Sequence, residues 1–333
     1  MSRPKLLVTH LLFPEAREIL ESLGDIDYWR EPDAIPRDEF LKRIAGKDGL
    51  VCLLTEKVNE ETLAAAPQLR IAATVSVGYD NIDVPACTRH YVVATNTPGV
   101  LDDTTADFAF TLMLAVARRL VEADKWLRSG NWSGWQFDQF ISTDVWGKTL
   151  GIIGFGRIGR DVARRAQGFR MRVIYYNRNR VAPELERELN AEYVPLDRLF
   201  AESDFVSLHV PLTPETRHLI NADTLKKMKR TAFLINTSRG PVVDEAALAA
   251  ALKAGTIAGA ALDVYEREPL VNPDLIPLQN VVLAPHLGSS SLETRTKMAV
   301  LAAKNVAAFF AGRQPPNALN PEVLARGSED VAR

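Results

Sequence analysis

Leu150-Gly151-Ile152-Ile153-Gly154-Phe155-Gly156-Arg157-Ile158-Gly159 is the stretch whose reading decides the fold. Its first four residues form a short apolar run of strand type, and Arg160 to Gln167 continue with helical spacing. A Gly-x-Gly-x-x-Gly pattern alone is weak. Between a strand and a helix, with a second apolar run from Val173 to Tyr176 downstream, it reads as a dinucleotide-binding turn. Gly154 permits the tight turn, Gly156 lets the backbone approach a pyrophosphate, and Gly159 allows the helix to pack closely on the strand. The helix N-terminus adds amide donors and the positive end of its dipole. Sites that prefer NAD carry Asp or Glu about 20 residues past the glycines, where it bonds the ribose 2′-hydroxyl. Here Asn177-Arg178-Asn179-Arg180 follows the second strand instead. Two guanidinium groups and no carboxylate suit a 2′-phosphate, so the expected cofactor is NADPH. If Arg178 and Arg180 are solvated loop charges, NADH remains possible.

Outward from this turn, short apolar runs alternate with helix-period stretches, the pattern of parallel sheets covered by helices. Lys5 to Thr9, Gly49 to Leu54, Arg70 to Val75 and Tyr91 to Ala94 read as strands, with helices over 14–23, 36–44 and 60–66 between them. Asn96-Thr97-Pro98-Gly99 is a turn cluster, and one long helix is predicted from Asp103 to Arg128. Beyond it, strands are predicted near 150–153, 173–176, 205–208, 232–236, 258–263 and 281–283, as in a dinucleotide-binding sheet. The expected fold class is α/β: two doubly wound parallel-sheet domains, a flavodoxin-like substrate domain and a Rossmann cofactor domain, with a cleft between them. Residues 1–98 form the first, completed by a C-terminal helical segment over 289–320. Residues 99–288 form the second, and 321–333 are a tail.

With 333 residues, two domains are expected at about 150 residues each. Hydrophobic residues are 47% and charged residues 25%, values of a folded globular chain. Forty Lys and Arg stand against 42 Asp and Glu, without a run of like charge, which argues against nucleic acid or an anionic membrane as partner. No apolar stretch reaches the ~20 residues of a membrane helix, and the N-terminus lacks a signal-peptide pattern, so a cytoplasmic location is expected. Cys52 and Cys87 are read as small core residues, and no metal site is expected.

Three segments follow predicted strand ends, where ligand sites collect in open parallel sheets: Asn236-Thr237-Ser238-Arg239-Gly240, Asp263 to Pro269, and Ala284-Pro285-His286-Leu287-Gly288. They supply one Arg, acids and a His, which suffices for hydride transfer to a keto acid. Arg239 can clamp a carboxylate and polarise the adjoining carbonyl. His286 can protonate the developing alkoxide, and Glu268 can stabilise its imidazolium and hold its tautomer. Singly, each has a duller explanation, as a helix cap, a surface ion pair or a satisfied core histidine.

In this order the segments resemble the D-isomer-specific 2-hydroxyacid dehydrogenases, most closely the glyoxylate/hydroxypyruvate reductases. Val77-Gly78-Tyr79-Asp80-Asn81-Ile82-Asp83, Asn96-Thr97-Pro98, Thr105-Ala106-Asp107 and Val210-Pro211-Leu212-Thr213 extend the resemblance over nearly the whole chain. It implies catalytic Arg239, Glu268 and His286, and Asp263 on the nicotinamide amide. It also implies cofactor contacts at Val210, Pro211, Thr216, Asn236, Thr237, Ser238, His286 and Gly288. The substrate would meet the backbone of Val77 and Gly78 with Leu54 and Tyr79. A homodimer through the cofactor domains is implied, with Trp135 either reaching the partner's active site or packing in the interface. The activity implied is NADPH-preferring reduction of glyoxylate and hydroxypyruvate. A broader or NADH-linked dehydrogenase is the near alternative. A nucleotide-sensing binding protein is the distant one, but a sensor has no need of all three catalytic groups.

Overall fold

The computed structural model describes residues 3–324. Asp102–Ser290 forms one compact unit, and the described residues on either side form the other. In chain order, the first unit begins with β1 (Lys5–Val8), α1 (Pro14–Leu23), β2 (Asp25–Tyr28), α2 (Arg37–Ile44) and β3 (Gly49–Cys52). It continues with α3 (Glu60–Ala65), β4 (Ile71–Thr74), α4 (Val84–Arg89) and β5 (Val93–Thr95). The strands pair in parallel in the order β2-β1-β3-β4-β5, a doubly wound, flavodoxin-like sheet. Its inner strands are buried on both faces, which is why they read as unbroken apolar runs. Cys52 and Cys87 are free and buried in this core.

The second unit opens with α5 (Asp102–Ala117), α6 (Leu120–Arg128), β6 (Thr149–Ile153), α7 (Arg157–Gly168), β7 (Arg172–Tyr176), α8 (Pro183–Leu189) and β8 (Ala191–Tyr193). Then come α9 (Leu196–Glu202), β9 (Phe205–Leu208), α10 (Ala222–Lys227), β10 (Phe233–Asn236), α11 (Glu245–Lys253), β11 (Gly259–Leu262) and β12 (Val281–Leu283). The order β12-β11-β10-β9-β6-β7-β8 is the dinucleotide-binding arrangement extended by one strand. It reverses direction between β6 and β9, so the ends of those strands form the crevice where ligands bind in such sheets. One apolar layer lies beneath α5 and α7, and another lies beneath the helices of the opposite face. Each fully buried Leu or Phe in these layers contributes about 2 kcal/mol.

Two expectations are corrected. The helix expected from Asp103 to Arg128 is two helices: Arg119 takes φ +54°, and Thr143 N donates to the Ala117 carbonyl at 3.1 Å, closing α5. Strands β2 and β8 escaped the sequence reading. Both are sheet edges with a single neighbour and polar residues, Asp25 and Asp27 in one and Glu192 in the other, so neither shows an apolar run. The second sheet therefore has seven strands, not the six expected. The last helix, α12 (Leu292–Phe310), is capped by Ser291 Oγ, which accepts from Thr294 N, and packs on α1 in the first unit. Most of the tail placed at 321–333 lies outside the described residues.

Candidate active site

The glycine turn is built as the steric argument requires. Gly154 has φ +96°, and a Cβ there would lie 2.4 Å from the His209 carbonyl oxygen. A Cβ on Gly159 would lie 2.2 Å from the Gly154 oxygen, so α7 can approach β6 only with glycine at that position. At Gly156 a Cβ would meet nothing within 4 Å, leaving open space over the N-terminus of α7. Arg157 is exposed and Ile158 half-buried at the start of that helix. The Phe155 ring is fully buried and stacked on Tyr175, with centroids 4.0 Å apart, so only its backbone can face a ligand. Just after β9, His209 pairs with Ser207 Oγ at 2.8 Å, and burial pushes its pKa down to about 3, so it is neutral.

The loop after β7 is fastened to the glycine turn: Phe155 N donates to Asn177 Oδ1 at 3.2 Å, and Asn177 Nδ2 donates to the Asn179 carbonyl at 2.9 Å. Arg178 is exposed there. Arg180 is gripped side-on by both oxygens of Glu186, at 2.8 and 2.7 Å, and Glu186 also accepts from Tyr175 Oη. On the other side of the crevice Thr216 Oγ1 donates to the Pro211 carbonyl and accepts from Thr213 N, shaping the loop that begins at Val210. The Thr237 hydroxyl is buried without a hydrogen-bond partner among the described residues.

Three strand ends then bring the chemistry together. After β10, buried Asn236 accepts from Ser238 N and Oγ and donates to the Arg239 carbonyl, setting the turn that presents Arg239. After β11, Asp263 accepts from Leu287 N at 2.6 Å and Gly288 N at 2.8 Å, and its backbone carbonyl accepts from His286 N. These bonds hold His286 at φ +57°. Its Nδ1 meets Glu268 Oε2 at 2.8 Å, while Glu268 Oε1 accepts from Tyr265 N at 3.0 Å. Burial acts to raise the Glu268 carboxyl, but the bond to His286, the Tyr265 amide and the charge of Arg239 outweigh it and hold Glu268 below the usual carboxylate range. Burial raises Asp263 despite its two amide donors. Arg239, Glu268 and His286 thus share one end of the sheet.

In the first unit, Leu54 and Tyr79 are partly or largely exposed. The carbonyls of Val77 and Gly78 are occupied by Asn96 Nδ2 at 2.7 Å and Ser76 Oγ at 2.6 Å. Trp135 is 80% exposed in the second unit and makes an edge contact with Phe137. Sequence reasoning missed His218 and Glu186, whose partners lie across turns, and treated Glu266 only as part of an acidic block. No local pattern marks them. Among the described residues no cluster of His, Cys, Asp and Glu is placed to hold a metal, and no helix is long and apolar enough to cross a membrane.

Residues 110–288 match the model of the D-isomer specific 2-hydroxyacid dehydrogenase NAD-binding domain. The chain is 52% identical to a glyoxylate reductase of Thermococcus litoralis, over 97% of this chain and 98% of that protein. It is 49% identical to a glyoxylate reductase of Aeropyrum pernix, over 97% and 98%. Among solved structures, an NADPH-dependent glyoxylate/hydroxypyruvate reductase from Sinorhizobium meliloti, in complex with NADP and malonate, superposes with TM-score 0.83 at 34% identity, covering 96% of this chain and 98% of that one. A glyoxylate reductase from Paecilomyes thermophila gives TM-score 0.86 at 34% identity, covering 97% and 100%.

Proposed function

This chain belongs to the D-isomer-specific 2-hydroxyacid dehydrogenases, and from that premise we propose that it reduces small 2-keto acids, glyoxylate to glycolate and hydroxypyruvate to D-glycerate, preferring NADPH to NADH. The observation that carries the reading is the His286–Glu268 pair at 2.8 Å beside Arg239 at the dinucleotide end of the sheet. The residues fit the cofactor: open space at Gly156 suits a pyrophosphate, and the buried Thr237 hydroxyl lacks a partner among the described residues. When bound, the nicotinamide supplies the hydride. Arg239 holds the substrate carboxylate and polarises the carbonyl. His286 gives a proton from Nε2 to the carbonyl oxygen as the C–H bond forms, while Glu268 on Nδ1 stabilises the imidazolium before transfer. Leu54, Val77, Gly78 and Tyr79 take the task of binding the substrate.

The NADPH preference rests on the loop after β7, which carries no carboxylate at the position where NAD sites need one. Glu186 already occupies one edge of Arg180, so Arg178 has the larger share of 2′-phosphate binding. Initial rates with glyoxylate, hydroxypyruvate and pyruvate, each with NADPH and NADH, test this. Higher kcat/KM is expected with NADPH and the first two acids, and Arg178→Gln is expected to lower the NADPH/NADH ratio about tenfold, the scale of one charge-assisted hydrogen bond. A wild-type preference for NADH or pyruvate would overturn it.

A homodimer through this unit is part of the same proposal. Leu120 and Leu127 on α6, with Trp132, Trp135, Phe137 and Ile141 beyond it, are exposed large apolar side chains within about twenty residues of chain, more than a solvated surface needs. Sedimentation equilibrium at micromolar concentration should give twice the chain mass, and a monomer would count against it. Trp135 then lies at the interface.

A further inference from the structure

A second histidine–carboxylate pair uses the same loop as the first. His218 Nε2 lies 2.6 Å from Glu266 Oε1, and Glu266 is two residues before Glu268 on the same loop. The backbone of His218 is bound elsewhere: its N–H donates to the Pro241 carbonyl at 2.8 Å, in the turn just after Arg239. That turn presses against the same loop, since a Cβ on Gly240 would sit 1.8 Å from the Tyr265 carbonyl carbon. Two adjacent amides of the loop are committed to different carboxylates. Tyr265 N donates to Glu268 Oε1, and Glu266 N donates to Glu245 Oε1 at 2.7 Å, where Glu245 is buried in the first turn of α11.

We propose that His218 and Glu266 are positioning residues, whose bond ties the loop carrying Glu268 to the turn carrying Arg239, so that the acid–base pair and the carboxylate clamp keep one spacing. The inference rests on the catalytic roles given above to Glu268 and Arg239. His218 is 38% and Glu266 23% exposed in their side chains, and partly solvated pairs of this kind add little stability. What the pair supplies is geometry. His218 reaches Arg239's turn through its backbone and Glu268's loop through its ring, and cutting either link loosens their spacing, leaving only the packing at Gly240 and the bonds to Glu245 to hold it. Small displacements of catalytic groups cost rate steeply, and loss of this tie is expected to cost about tenfold in kcat.

The test is a double-mutant cycle on glyoxylate reduction with NADPH. Glu266→Ala should lower kcat about tenfold with the KM for NADPH and the melting temperature nearly unchanged, and Glu266→Gln, which keeps an acceptor for His218, should recover most of the rate. In a Glu268→Gln background, Glu266→Ala should cost less than about twofold, because the group it positions is already disabled. His218→Asn should show the same background dependence, and serves if the alanine variant folds poorly. Equal losses in both backgrounds, or a Glu266→Ala enzyme within about twofold of wild type, would overturn the positioning role while leaving the reaction assignment intact. A Glu268→Gln enzyme with wild-type rates would remove the catalytic role of Glu268, and this proposal with it.

Discussion

His286→Ala is expected to lower kcat for glyoxylate reduction by about a thousandfold while NADPH still binds with nearly wild-type affinity, as fluorescence titration would read. The size follows from what the imidazole does. Positioned proton transfer is worth about a hundredfold to ten-thousandfold, and here the ring is held at both ends of its role. Its backbone N–H is fixed on the Asp263 carbonyl, and its Nδ1 is fixed on Glu268 at 2.8 Å, leaving Nε2 as the nitrogen that exchanges a proton. Hydride arriving at the carbonyl carbon without that proton would leave an alkoxide with only Arg239 to stabilise it. The affinity for NADPH should survive because the glycine turn, the Thr216 loop and the loop after β7 are shaped by bonds that do not involve His286. A His286→Ala enzyme that retains more than about a tenth of the wild-type kcat would refute the general-acid assignment.

Arg239→Lys is expected to lower kcat/KM for glyoxylate by about a hundredfold to a thousandfold, with losses in both kcat and KM. An ammonium keeps the charge but not the planar fork, so it cannot bind two carboxylate oxygens while also leaning on the carbonyl. The position is prepared for the guanidinium: Asn236 fixes the turn through the Arg239 carbonyl, and Arg239 Nη1 donates to the Ser238 carbonyl at 2.8 Å. Its charge also helps hold the Glu268 carboxyl low, so losing the fork's position disturbs the acid–base pair as well as the substrate. Steady-state kinetics with glyoxylate and with an aldehyde lacking the carboxylate separates the two effects. The aldehyde should lose far less, and equal losses for both would show that Arg239 does not clamp the carboxylate.

Most of the fold was legible because its signals are local. The helix over 14–23 and the strand at 281–283 follow from apolar spacing, the proline at the helix start and flanking turns, and the structure places their ends at those residues. The glycine turn was legible for a sharper reason: at Gly154 and Gly159 any side chain would strike backbone, so chemistry dictates the residue. Edge strands β2 and β8 were not legible, since a strand with one neighbour and one solvated side needs no apolar run. The break at Arg119 was hidden as well, because helix-forming residues continue through it and the carbonyl it uncovers is taken by Thr143, more than a helical turn away in sequence.

The sequence by itself determined the fold class, the cofactor turn and the residue types at the three strand ends, because period, glycine sterics and motif order are properties of neighbouring residues. Only the tertiary structure decided which side chains meet. His286 and Glu268 are 18 residues apart and His218 and Glu266 are 48 apart, and sheet order and hydrogen bonding between loops bring each pair within reach. The same holds for Arg180, which sequence offers as a phosphate ligand and which the structure gives first to Glu186. A charged side chain binds whatever opposite charge the fold sets beside it, and that neighbour is fixed by packing rather than by position along the chain.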